Sequence, residues 1–108
     1  MKVKVIQTHH GEGQFPTFPK ETAVVMAAEA DTHFLHWYAC VIDGHETYVP
    51  EIFVRGGVLT RDYNPTELVQ VVGDFVEVSE IVNAWLRATN ERGETGWIPA
   101  EAVVSVDG

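Results

Sequence analysis

The sequence predicts an all-β chain built from two small β modules in tandem, and three observations carry that expectation. Helix signals are weak, because Pro16, Pro19, Pro50, Pro65 and Pro99 cut the chain into short pieces filled by β-branched and aromatic residues. Two hairpins can be read from their turn residues. Those hairpins then recur: Trp37 precedes Trp85 by 48 residues, while Gly44 and Pro50 precede Gly93 and Pro99 by 49. A fixed internal spacing of this size is the mark of a repeated structural unit.

Each element follows in order. Residues 22–26 (TAVVM) form the strand that enters the first hairpin. Residues 36–42 (HWYACVI) are strand-like by composition and run into Asp43-Gly44, the dipeptide that favours a two-residue type I′ turn. Residues 46–49 return, and Pro50 follows where a single 3₁₀ turn would cost no needed amide donor. Arg55-Gly56-Gly57 is the linker, which places one module at residues 1–56 and the other at 57–108. In the second module residues 75–81 (FVEVSEI) alternate as a half-buried strand does. Residues 85–89 then turn through Asn90 to Gly93, and residues 94–98 come back to Pro99. Short strands with turns this close indicate small barrels packed against one another.

At 108 residues the chain is too short for a doubly wound nucleotide fold or an α/β barrel. A hydrophobic fraction of 45% argues against disorder. Seven basic residues face 16 acidic ones, and both halves are acidic, so nucleic acid is disfavoured and a basic partner is permitted. The only cysteine is Cys40, which excludes an intrachain disulfide and a cysteine-based zinc site. The start lacks the apolar stretch of a secretory signal, and no run of about eighteen apolar residues occurs. The expectation is a cytoplasmic protein with no membrane span.

Five segments of the second half carry a resemblance. Residues 59–63 (LTRDY) stand where SH3 domains carry Ala-Leu-Tyr-Asp-Tyr, and Glu67-Leu68 with Gly73-Asp74 resembles the segment before the second strand. Trp85 stands at the groove tryptophan, and residues 96–103 (GWIPAEAV) at the Gly-x-x-Pro-Ser-Asn-Tyr-Val segment. The first half resembles the same family through Trp37, the Asp43-Gly44 hairpin and residues 48–54 (YVPEIFV). The whole chain thus resembles a bacterial type with two tandem SH3-like barrels. That resemblance implies a groove for extended, polyproline-like peptides, whose preformed ridges fit between flat rings. The groove residues it implies are Tyr63, Glu67, Trp85 and Pro99 in the second module, and Trp37, Pro50 and Phe53 in the first, with Glu29 and Asp31 nearby. Arg61 and Ala102 replace two of the family's groove tyrosines.

Other chemistry finds less support. All five histidines, His9, His10, His33, His36 and His45, lie in the first half without standard metal-ligand spacing, although His36 and His45 could face each other across the hairpin. Cys40 in a hairpin strand reads as a small core residue, and no catalytic motif surrounds Ser79 or Ser105. The expectation is therefore a non-catalytic module without cofactor that binds a protein or peptide, a basic one by charge. The alternatives are a structural or regulatory module whose rings are used in packing or in a homodimer, and a small-molecule or metal site on the first module's histidines.

Overall fold

The computed structural model describes residues 1–11, 14–26 and 37–106. The described chain is all-β. Its strands are β1 (Lys2–Val5), β2 (Val24–Met26), β3 (Trp37–Ile42), β4 (His45–Pro50), β5 (Val54–Arg55), β6 (Val58–Leu59), β7 (Phe75–Val82), β8 (Trp85–Asn90), β9 (Thr95–Pro99) and β10 (Val103–Ser105). Single 3₁₀ turns at Glu51–Phe53 and Ala100–Ala102 link β4 to β5 and β9 to β10.

The local expectations hold where turn chemistry decides them. Asp43 and Gly44 both take positive φ, 48° and 77°, so the β3–β4 hairpin closes with Ile42 opposite His45. Pro50 and Pro99 precede the 3₁₀ turns with nearly the same backbone angles, φ −64° and −68° with ψ 139° and 142°. A third hairpin joins β7 to β8 through Asn83, which takes φ 54° without a glycine beside it. Strand β7 carries a register irregularity between Val78 and Glu80, yet the burial alternation runs through it: Val76, Val78 and Val82 are buried while Glu77, Ser79 and Ile81 are exposed.

The chain divides into two compact units, but not at the linker. One unit comprises residues 1–14 and 66–108, the other residues 15–65. That division differs from the expected boundary at 56/57, since one unit draws β1 from the first half of the sequence and the other draws β6 from the second. Strand β1 lies between β7 and β10, pairing Val3 with Val76 and with Ser105. Its alternating Lys-Val-Lys-Val pattern points Val3 and Val5 inward. There they join Leu68, Val76, Val78, Leu86, Ala88, Ile98 and Ala102 in one aliphatic core. Strand β6 pairs instead with β5, and Ala23 bridges to Val58.

The barrels expected from the sequence are not closed. The larger unit holds a five-stranded sheet in the order β10-β1-β7-β8-β9, and the other holds a three-stranded sheet β2-β3-β4 and the β5-β6 pair. The β9 edge is instead backed by residues 66–68. Trp97 N–H donates to the Thr66 carbonyl at 3.0 Å, and Leu68 N–H to the Trp97 carbonyl at 2.8 Å. Gly96 permits that approach, since a Cβ there would stand 2.8 Å from the Thr66 oxygen. No helix among the described residues is long and apolar enough to cross a membrane.

Candidate functional site

The division of the chain redistributes the residues expected to line two grooves. Trp37, Pro50, Phe53 and Tyr63 all fall in the 15–65 unit, whereas Glu67, Trp85 and Pro99 fall in the other. Tyr63 therefore leaves the set it was expected to complete. Its place is taken by His9, a residue the sequence reading did not assign to a groove because it lay in the other presumed module.

Register shows why His9 belongs there. Val54 and Val103 each follow a 3₁₀ turn, and they pair with Leu59 and Val5 respectively. Four residues beyond these partners stand Tyr63 and His9. Each then forms an isolated antiparallel bridge, Tyr63 with Phe18 and His9 with Gln70. Both bridges carry reciprocal backbone hydrogen bonds of 2.8–3.0 Å. The two residues occupy equivalent points of the two units.

In the unit of residues 15–65 the cluster is aromatic and sealed. The rings of Phe53 and Tyr63 meet edge to face at 5.5 Å, and the Arg61 guanidinium lies 4.5 Å from the Phe53 centroid. The Tyr63 hydroxyl donates to the Tyr48 carbonyl at 2.6 Å. Trp37 is 4% exposed, and Tyr63, Phe53 and Pro50 are buried as well. His45 packs against Phe18 with centroids 5.4 Å apart, while its Nδ1 donates to the Asp43 carbonyl at 3.0 Å.

The corresponding corner of the other unit is polar. His9 Nε2 donates to Glu67 Oε1 at 2.9 Å, and each of the two side chains keeps a little under a fifth of its surface exposed. The His9 ring stands edge-on to Trp85 at 5.8 Å. Glu67 is positioned through its backbone, which bridges in parallel to Trp97 on β9. Trp85 itself is 5% exposed, and Pro99 is half-buried beside it in register. Two ring faces that a polyproline ligand would need, Trp37 and Trp85, are thus within the protein interior.

Two other clusters were of interest from the sequence. His33 and His36 lie outside the described residues, as do Glu29 and Asp31. Among the described residues no group of three or more His, Cys, Asp or Glu side chains is arranged to hold a metal ion. Cys40 is buried, and desolvation pushes its thiol from 9.0 up to about 11, which leaves a poor nucleophile near neutral pH.

One surface feature had no signal in the sequence reading. Residues 66–71 run along the sheet edge with Leu68 and Gln70 turned inward, which projects Val69 and Val71 outward, and Val72 stands exposed in the turn that follows, closed by the Asp74 amide on the Val71 carbonyl. These three valines are 54–60% exposed. The alternation was present in the sequence, but it was absorbed into the loop of the SH3-like motif.

Compared with protein-family models, curated proteins and solved structures, the chain finds no match.

Proposed function

We propose that the protein is a non-catalytic interaction module, two SH3-like units that bind a protein or peptide partner. The observation that carries this reading is the row of Val69, Val71 and Val72 projecting from a segment whose other side is locked into the fold. Apolar side chains presented together on a held backbone give a partner area to bury without an ordering cost. The rings expected to line the grooves serve as interior packing, so recognition passes to this outer segment. Partner isolation with wild-type protein and with the Val71→Ser/Val72→Ser double variant tests it. The expected outcome is a partner retained by the wild type and lost by the variant, both proteins melting alike. A partner held equally well by both would refute it.

A second reading is favoured by the 4% and 5% exposure of Trp37 and Trp85: a structural or regulatory module whose aromatics serve packing alone. That reading predicts no partner sensitive to the valines. Its homodimeric form would show twice the monomer mass in light scattering.

A further inference from the structure

Next to the valine row lies a cleft of about 100 Å³ lined by Gln70, Asp74, Phe75, Asn90, Glu91 and Arg92. The row and the cleft share a segment, since Gln70 precedes Val71 and Asp74 closes the turn that Val71 opens through Asp74 N–H to the Val71 carbonyl at 3.1 Å. Resting on the interaction reading above, we infer that the partner is an extended basic peptide. Its apolar side chains lie on Val69, Val71 and Val72, and one Arg or Lys head group enters the cleft.

The wall of the cleft is rigid. Asn90 is saturated: its Nδ2 donates to Gln70 Oε1 and Glu94 Oε1, both at 2.9 Å, and its Oδ1 accepts from the Arg92 and Glu94 amides. Gln70, also buried, donates from Nε2 to Asp74 Oδ2 at 2.8 Å. The Val71 amide donates to that same oxygen at 3.0 Å, so both of these bonds to the Asp74 carboxylate fall on Oδ2. A site whose polar lining is already fixed loses little freedom when a ligand arrives.

Charge selects the ligand. Asp74 and Glu91 are the acids lining the cleft, and the one lining cation, Arg92, is engaged by Glu94, which lies 2.8 Å from its Nε. Phe75 adds a ring that already carries a cation, with Lys2 Nζ 5.1 Å from its centroid. The whole unit has nine acidic side chains and four basic ones. An acidic peptide would meet repulsion from Asp74 and Glu91 and from the net charge of the unit, which Lys2 and the already engaged Arg92 offset only in part.

The test uses synthetic twelve-residue peptides with the full-length protein, read by titration calorimetry. One alternates valine with arginine, a second replaces each arginine by glutamate, and a third replaces each valine by serine. The first peptide should bind, more weakly at higher salt, and both others should lose roughly tenfold or more. Val71→Ser/Val72→Ser and, separately, the exposed Glu91→Lys should each weaken the first peptide by roughly tenfold with melting temperature unchanged. If the first peptide fails to bind, or binds Glu91→Lys as well as wild type, the basic-peptide inference is overturned. Should an isolated partner still depend on the valines in that case, the interaction reading survives alone. If isolated partners ignore the valines, the reading itself fails.

Discussion

Tyr63 and His9 stand at equivalent points of two units built on the same repeat, yet their surroundings are opposite in kind. Around Tyr63 the protein places Phe53, Phe18 and Arg61, and the phenol finds the Tyr48 carbonyl. Around His9 it places Glu67, Gln70 and Trp85, with Ala102 where the other unit has Phe53. The first corner is filled by ring volume. The second gives up ring volume for a hydrogen-bonded polar pair near the surface. One repeat fills its corner with rings, and the other leaves Val69, Val71 and Val72 exposed on its outer segment.

The most disruptive way to break this comparison is to remove ring volume from the filled corner. Phe53→Ala should cost about 3–5 kcal/mol, because it loses transfer energy and leaves a cavity under Tyr63. The reverse change, Ala102→Phe, should also destabilise, by about 1–3 kcal/mol, since it forces a ring into a buried position of the aliphatic core. Denaturant unfolding of both variants checks the asymmetry. Equal tolerance at the two positions would mean that the two corners are filled alike.

A second test concerns the backing of β9. Gly96→Ala would bring a methyl group to 2.8 Å from the Thr66 oxygen and 3.0 Å from the Leu68 nitrogen, both backbone atoms that cannot swing away. The expected loss is about 1–3 kcal/mol, with early hydrogen exchange at the Leu68 and Trp97 amides. By the 49-residue spacing the other repeat has Thr47 at this point. Glycine is therefore specific to the unit whose sheet edge is covered by its own chain.

These contrasts show what a single sequence can and cannot carry. Asp43-Gly44 and the two prolines set their own backbone angles, so the hairpin turn and both 3₁₀ turns were legible. The alternation in residues 2–5 gives the inward face of β1 but not which repeat supplies its neighbours. Residues 59–63 looked like the start of the second module for the same reason: a strand's pattern names its faces, and pairing is decided by the whole fold. That single ambiguity moved the domain boundary, took Tyr63 out of the second groove and hid His9. The valine row was visible as letters, yet its exposure depended on Leu68 and Gln70 both being turned inward.

A smaller effect separates the two corners by their hydrogen bonds. A double-mutant cycle on His9→Ala and Glu67→Ala should return a coupling of about 1 kcal/mol, the value of a partly exposed charge-assisted bond. Tyr63→Phe should cost a comparable amount, because it removes the hydroxyl's bond to the Tyr48 carbonyl. If the His9–Glu67 coupling is zero, the polar corner does not hold residues 6–11 in place.

The units also differ in how pH reaches them, and the two limbs can be measured separately. Burial raises the Cys40 thiol from 9.0 to about 11, so the folded state holds its proton while an unfolded chain releases it. The associated stability is present below about pH 9 and falls as pH rises towards about 11. Cys40→Ala should flatten that alkaline limb relative to wild type, and the native thiol should react with a disulfide reagent only after unfolding. Glu94 behaves in the opposite sense. Its bond from Asn90, and then the Arg92 guanidinium, hold its carboxyl below the usual range. The folded state therefore favours the ionised form, and that contribution is present above the ordinary carboxylate range and lost as pH falls through it. Glu94 is exposed and its bonds are screened by solvent, which makes this the smallest expected effect. Glu94→Gln should reduce the acid-limb slope only slightly at low salt and not at all at high salt. A large change would mean that the Asn90 turn, and with it the wall of the cleft, depends on that charge.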